Sequence, residues 1–159
     1  TFMLSLIATL MAFVGGCGKE KTVGKDIGPE DIQAFWYTKS ATTNPPEFQR
    51  YYFHIEDGEY LFTHEKREGE KVFLTEEDIT VTGTLKLTEE EWAALYALLT
   101  GGTVTGRSQS DVLTGRSRDL FLYWNGDRNE MQVFAFGTSE QLAAFEELCL
   151  TLKEREMAD

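Results

Sequence analysis

The residues whose types could support chemistry are few and widely spaced. The chain has two histidines and two cysteines among 159 residues. His54 and His64 lie in a segment, YYFHIEDGEYLFTH, that predicts a hairpin with Asp57-Gly58 at its turn. With a two-residue loop, His54 faces outward and His64 faces inward, whereas a three-residue loop would reverse this parity. With the two-residue loop the two rings do not converge on one ion, and no other Cys or His is free to complete a site, so we expect no metal site and no cofactor.

Nucleophiles and paired acids are equally unspecific. Cys149 lies on the apolar stripe of a predicted helix, which favours a core thiol over a nucleophile. No Gly-x-Ser-x-Gly motif occurs, and the run Glu76-Glu77-Asp78 is typical of a solvated face. The sequence therefore favours a non-catalytic protein. A hydrolase acting on a glycan, peptide or phosphate is the alternative, and it would need a cleft with a tuned acid or base.

Two segments partly match ligand-binding loops. The stretch GGTVTGRS, 101–108, has arginine where a phosphate-binding loop needs lysine, and it follows a predicted helix instead of a strand. Asn125, Asp127 and Asn129 match the first ligands of a calcium loop, but Glu130 and Phe136 occupy its glycine and glutamate positions. Neither segment predicts a ligand, and a polar hairpin turn fits the second better.

The connection from 100 to 119 is the least ordinary segment. It is long and polar, and between its end residues it contains Arg107, Arg116 and Arg118 but a single acid, Asp111. Residues 56–91, by contrast, contain twelve acids and four bases. Long loops often bind ligands, so we expect this loop to be a candidate binding site, although its arginines could instead pair with the acidic body. The other candidate binding residues are Trp36 and Tyr37, which we expect near an edge of the sheet.

Composition excludes several classes of protein. A net charge of −12 argues against nucleic acid and against a body held on anionic lipid, because both need clustered Lys and Arg. Hydrophobic residues make up 42% of the chain, which is enough to fill a core. The length fits one domain.

Hydrophobic periodicity supplies the elements that must position these residues. In the hairpin 51–64, residue i pairs with residue 115 − i, so Tyr51, Phe53, Ile55, Tyr60 and Phe62 share an apolar face toward the core. Further strands are predicted at 32–37, 72–74 and 79–87, and a second hairpin at 120–136. Thr88 and Glu91 form the capping box of a first helix that ends at Gly101-Gly102, and a second helix spans about 139–154.

These elements predict an α+β fold. We expect an antiparallel sheet of about five to six strands with two amphipathic helices packed on one face. Displaced by 50 residues, the first helix matches the second at five of twelve positions. This match allows two interpretations, a duplicated hairpin-then-helix unit or the general likeness of capped amphipathic helices.

The start of the chain carries the only motif with a specific signature. Residues 1–16, TFMLSLIATLMAFVGG, are uncharged and shorter than a membrane span of about 20 residues. The following Val14-Gly15-Gly16-Cys17 resembles the lipobox of bacterial lipoproteins, although no basic residues precede the apolar stretch. The resemblance implies cleavage before Cys17 and lipid attachment, such as palmitate, to that residue. The alternative is a signal-anchor helix with a chance cysteine.

The sequence therefore predicts three regions: a signal peptide at 1–16, a lipidated Cys17 with a flexible tether over 17–30, and a single domain over 31–155. The expected location is the extracytoplasmic face of a cell membrane. The expected function is a binding or interaction module with a protein or small-molecule ligand. A structural or assembly subunit of an envelope complex is a further alternative.

Overall fold

One antiparallel sheet and two helices make up the fold. The computed structural model describes residues 20–41, 47–69, 71, 75–105, 116–124 and 131–158. In chain order the strands are β1 (Lys21–Thr22), β2 (Ile32–Ala41), β3 (Glu47–Glu56), β4 (Glu59–Arg67), β5 (Ile79–Leu87), β6 (Thr103–Thr105), β7 (Arg116–Trp124) and β8 (Met131–Ala135). Helix α1 is Glu89–Leu99 and helix α2 is Ser139–Ala158. The strands form a sheet in the order β1-β6-β8-β7-β2-β3-β4-β5.

The hairpin β3–β4 has the predicted register. Tyr51 pairs with His64 and Phe53 with Phe62, and Asp57 and Gly58 adopt the positive φ values of 51° and 77° that a tight two-residue turn requires. Because side chains alternate along a strand, this register places Tyr51, Phe53 and Phe62 in the core. The turn residues therefore determine which face of both strands is buried.

Both helices lie on that same face of the sheet. Trp92 of α1 stacks on Tyr60 with ring centroids 4.9 Å apart. Phe145 of α2 contacts Phe35 at 5.2 Å and Phe53 at 5.8 Å. Both helices begin as their sequences predict: the Thr88 hydroxyl accepts from the Glu91 amide, and the Thr138 hydroxyl accepts from the Gln141 amide. The predicted α+β fold with two helices on one face is confirmed, and α2 continues to Ala158, beyond the expected end.

The sheet is wider than the sequence predicts, with eight strands instead of five to six. Two of the additional strands, β1 and β6, are only two and three residues long. Such short strands are formed by pairing with distant partners, here with each other and with β8, and have too few residues to show a period of two. The predicted strand at 72–74 lies outside the described residues.

The segment expected to be a tether is partly packed into the domain. Val23 and Ile27 are each only 1% exposed and belong to the core. The amide of Val23 donates to the carbonyl of Gly102 at 2.9 Å, which fastens this segment beside the end of α1. Among the described residues, the packed region therefore extends back at least to Lys21, ten residues before the predicted boundary at Asp31.

Of the two interpretations of the helix similarity, the duplicated hairpin-then-helix unit is wrong. Helix α1 follows three consecutive strands, β3-β4-β5, which end at one edge of the sheet, whereas α2 follows β8, which lies inside the sheet next to β6. A displacement of 50 residues would put β4 on 109–117, but the corresponding strand β7 spans Arg116–Trp124. The similarity of the helices therefore reflects shared capping and amphipathicity.

Candidate functional site

Strand β2 determines which residues can form a site on the sheet. It pairs with β7 on one side and β3 on the other, so it lies inside the sheet. The expectation that Trp36 and Tyr37 lie near an edge is therefore wrong. Tyr37 is 2% exposed and faces the helices, whereas Trp36 is half-buried on the opposite face, which neither helix covers. We call this opposite side the helix-free face.

A row of large side chains crosses the helix-free face. Val133, Phe121, Trp36 and Tyr52 are successive cross-strand partners on β8, β7, β2 and β3. All four are half-buried. With strands about 4.8 Å apart, the row extends roughly 14 Å across the sheet. We call these four residues the aromatic row.

Two neighbouring rings of this row are stacked on each other. Trp36 and Tyr52 are stacked with centroids 4.6 Å apart and planes within 15°. Tyr52 also stacks on His54 of its own strand at 4.1 Å and 5°. Both faces of the Tyr52 ring are therefore covered, and solvent meets ring edges. The Tyr52 ring therefore presents its edge, on which a protein surface can pack.

The register of the hairpin explains this stacking. In a two-residue hairpin the pair next to the turn, Glu56 and Glu59, is hydrogen-bonded, and hydrogen-bonded pairs then alternate along β3. Tyr52 therefore directs its backbone groups to β4 and forms a non-hydrogen-bonded pair with Trp36 of β2. Side chains are closer in such pairs, which brings the two rings into contact.

The polar groups beside the aromatic row are held neutral. Burial lowers the pKa of His54, and the nearby Glu56 carboxylate opposes that effect. Burial raises the pKa of Tyr52, and Glu56 adds to the increase. His54 Nε2 lies 3.2 Å from the Thr63 hydroxyl, which lies 3.1 Å from the Thr84 hydroxyl. Tyr52 and His54 are therefore neutral near pH 7, and the exposed Glu56 carboxylate, 4.0 Å from His54 Nδ1, carries the negative charge beside them.

A compact ionic cluster borders the same face. The Arg67 guanidinium lies 4.2 Å from the Phe48 ring centroid and 2.9 Å from the Glu65 carboxylate, and it also contacts Glu76. Arg50 lies 3.6 Å from Glu65 and 3.8 Å from Glu76. Because each guanidinium lies between carboxylates, the cluster neutralises itself and stabilises the strand ends. We therefore assign the cluster a structural role.

Titratable groups also meet on the opposite face, beneath α2. The Tyr37 hydroxyl donates to Glu146 at 2.8 Å, and the backbone amide of His64 donates to Glu156 at 3.3 Å. Burial raises the pKa of Glu156 to about 7, and the His64 amide opposes that shift. Burial lowers the pKa of His64 to about 4, with Lys153 and Lys66 adding to the effect. His64 is 1% exposed, so a substrate could not reach its ring while α2 is in place.

The remaining chemical candidates take structural positions. Cys149 is 1% exposed, and burial raises the pKa of its thiol well above the usual value, which makes it a poor nucleophile. Residues Glu76 to Asp78 form a 3-10 turn. The Asp78 carboxylate accepts the backbone N–H of Thr75, which precedes the turn, and so caps it. Within the described residues no group of three or more His, Cys, Asp or Glu could hold a metal ion. His54 and His64 lie on opposite faces of the sheet, as predicted.

The predicted arginine loop is partly strand. Arg116 and Arg118 belong to β7, where their partners on β2 are Ala41 and Lys39. Thr103–Thr105 form β6, so strands occupy both ends of the segment that was predicted as one long loop. Arg107, Cys17 and the turn at 125–129 lie outside the described residues. The structure therefore does not bring the arginines together with Trp36 and Tyr37 as one described site.

Sequence reasoning missed Phe121 and Tyr52 as companions of Trp36. Each lies in a predicted hairpin strand, and the alternation of side chains along that strand shows that it shares a face with residues two positions away. The missing information was that β2 lies between those hairpins, which the sequence pattern does not contain.

Comparison with known proteins adds no relative. No family model matches the chain, and neither a curated protein nor a solved structure matches it. No helix in the described part of the chain is long and apolar enough to cross a membrane.

Proposed function

We propose that this protein is a membrane-anchored bacterial lipoprotein whose domain is a non-catalytic binding module for a protein partner on the extracytoplasmic side. The observation that carries the binding function is the aromatic row, Val133-Phe121-Trp36-Tyr52, on the helix-free face. The anchor part of the proposal rests on the lipobox-like Val14-Gly15-Gly16-Cys17.

Packing supports a protein as the partner. The core between the sheet and the helices is filled by buried aromatic and aliphatic side chains, including Phe35, Phe53 and Phe145, each 0% exposed. The aromatic row remains half-buried outside that core. Aromatic side chains are enriched at the centres of protein interfaces, where burial of the remaining ring area is favourable.

The binding proposal is tested by site-specific photo-crosslinking in membranes of the source cells. A photoreactive amino acid replaces Phe121 in one protein and Leu150 in another, because Leu150 is an apolar side chain on α2 that is 53% exposed. We expect a discrete adduct from position 121, lost when Trp36→Ala is added, and none from position 150. Equal adducts from both positions, or none from position 121, would contradict the proposal.

The anchor is tested separately with Cys17→Ala. Expressed from its natural gene, the unaltered protein should incorporate labelled palmitate and sediment with membranes, because two acyl chains bind a bilayer stably. The variant should remain unlabelled and either unprocessed or released. A variant that stays on membranes with the same mature mass would refute lipid attachment at this residue.

A further inference from the structure

The two edges of the sheet differ greatly in length. One edge is β1, a strand of two residues, and the other is β5, a strand of nine residues. Eight of the nine β5 residues are exposed or half-buried. Ile79 and Val81 on this strand are 37% and 38% exposed, and they are two of three exposed large hydrophobic residues in the described part of the chain. A long, accessible edge strand can pair with another extended segment.

The register identifies which backbone groups of β5 face outward. Hydrogen-bonded pairs alternate from the β3–β4 turn, so Phe62 and His64 of β4 direct their backbone groups toward β5. Their partners there, Leu85 and Gly83, use their N–H and C=O groups in that ladder. The residues between and beside those partners, Thr82, Thr84 and Lys86, therefore direct three N–H and three C=O groups to the open edge. No described residue lies beyond β5 in the sheet.

The centre of β5 has few of the features that prevent an edge strand from pairing with another chain. An irregularity interrupts the start of the strand, where the partners shift between Lys66 and Arg67. The only charged residue of β5 is Lys86, and its ammonium group lies 2.6 Å from Glu59 on β4. The strand contains no proline. Bulges, lysines and prolines normally discourage edge pairing, so the segment from Val81 to Leu85 is left open to it.

Acidic residues flank both ends of this edge. Glu77 precedes β5, and Glu89 and Glu90 follow it in the first turn of α1. All three are exposed. Lys71 pairs with the neighbouring Asp78 at 3.0 Å and interacts electrostatically with Glu77, so the excess of negative charge is larger at the Glu89–Glu90 end. A depression of about 560 Å³ opens at the Glu89 end, and its lining includes Glu59, Tyr60 and Glu89. Acidic residues therefore lie at both ends of a strand whose one charged residue, Lys86, is paired with Glu59.

We propose that β5 binds an extended peptide segment of a partner, which adds as a ninth, antiparallel strand and carries basic residues at both ends. Backbone groups of Thr82, Thr84 and Lys86 supply the hydrogen bonds. Glu77 at one end, and Glu89 with Glu90 at the other, attract the basic residues. This contact lies at the edge of the sheet and is separate from the aromatic row.

Charge disfavours a second copy of this chain as the occupant. Antiparallel pairing of two β5 strands would put the Glu76–Asp78 turn of one copy beside Glu89 and Glu90 of the other. Each copy also has a net charge of −12. Like charges placed opposite one another destabilise an interface, whereas a basic segment would be attracted to both ends.

The proposal is tested with a labelled nine-residue peptide that has five alternating threonine and valine residues between two lysines at each end. Fluorescence anisotropy measures its binding to the folded protein. The same peptide with its five central amides N-methylated should bind at least about tenfold more weakly, because the methyl groups remove the N–H donors of the inter-strand hydrogen bonds. A peptide with glutamates in place of the lysines should show no measurable binding.

Matched protein variants separate the roles of charge and edge. The triple variant Glu77→Gln/Glu89→Gln/Glu90→Gln should weaken binding several-fold at low salt and little at high salt. The control Glu140→Gln/Glu147→Gln/Glu154→Gln, with the same charge change on α2, should bind as the unaltered protein does. Thr84→Pro, which removes an outward N–H, should also weaken binding, with its thermal midpoint measured alongside.

Three results would overturn this proposal. They are absence of saturable binding by the lysine peptide, equal binding by the N-methylated peptide, and equal weakening by the α2 control. Amide chemical shifts give an independent measure: we expect peptide-induced changes at Thr82, Thr84 and Lys86. Changes centred on Trp36 and Phe121 instead would place the peptide on the aromatic row and also overturn the proposal.

Discussion

The contact between Glu156 and the sheet should make the stability of this protein depend on pH. The Glu156 carboxyl lies against Gly83 and receives the backbone N–H of His64 at 3.3 Å. Burial raises its pKa from 4.5 to about 7. Lys153 of the same helix and Lys66 of β4 act on His64 at this position. The folded protein therefore holds a proton on Glu156 in a pH range where the unfolded chain has released it.

The sign follows from proton binding in the two states. A raised pKa in the folded state contributes stability that is fully present below pH 4.5 and is lost as pH rises through about 7. A fully enclosed group would contribute about 3.4 kcal/mol, at ~1.36 kcal/mol per pKa unit. Because this carboxyl is partly open to solvent, we expect an effect on the order of 1–2 kcal/mol.

The substitution Glu156→Gln isolates this effect. Glutamine keeps a neutral side chain of the same shape, so the variant should match the original protein at pH 4 and exceed its free energy of unfolding by about 1–2 kcal/mol at pH 8. Urea unfolding followed by tryptophan fluorescence measures the difference at each pH. His64, with its pKa lowered to about 4, destabilises both proteins equally as pH falls below 6.5, so its contribution cancels.

Glu154→Gln is the matched control, because Glu154 is exposed on the same helix. Its difference from the original protein should stay within about 0.5 kcal/mol at every pH. If the Glu156→Gln difference does not change between pH 4 and pH 8, the reasoning about this buried carboxyl is refuted. A variant that is less stable at pH 8 would refute it as well.

Three further outcomes test the packing. Gly83→Ala should remove most of this pH dependence, because a Cβ at position 83 would overlap the Glu156 carboxyl and displace it. Urea unfolding at several pH values measures the dependence, and a dependence that persists in the variant would contradict the contact. Thr88→Ala should lower the free energy of unfolding by about 1 kcal/mol through loss of the α1 cap, and a change below about 0.3 kcal/mol would contradict the capping role. Phe145→Ala should cost about 3–5 kcal/mol, whereas Leu150→Ala on the exposed side of α2 should cost less than about 0.5 kcal/mol; similar thermal midpoints for these two variants would contradict the assigned core.

Local signals predicted the elements that are stabilised by neighbouring residues. The Asp57-Gly58 turn fixes the register of β3 and β4, and with it the burial of Tyr51, Phe53 and Phe62. Thr88 and Glu91 mark the start of α1 because both partners of the capping box lie within one turn. These predictions were correct since each depends on residues only a few positions apart.

Predictions that needed partners far along the chain were less successful. Strand β2 was recognised, but its position between β7 and β3 was not, so Trp36 and Tyr37 were expected near an edge. Val23 and Ile27 were assigned to a tether because their burial depends on the end of α1, about 75 residues later. The residues that complete the aromatic row, Phe121 and Tyr52, were missed for the same reason.

The sequence by itself determined the α+β class, the two faces of the hairpin β3–β4, both helices and the acidic charge of the chain, because these depend on composition and on short-range periodicity. Only the tertiary structure decided which strands are neighbours. That choice separates Tyr37, buried beneath α2, from Trp36, which stands in a row of side chains on the helix-free face. It also leaves β5 as the long open edge, because a strand becomes an edge only through the pairing of all the others.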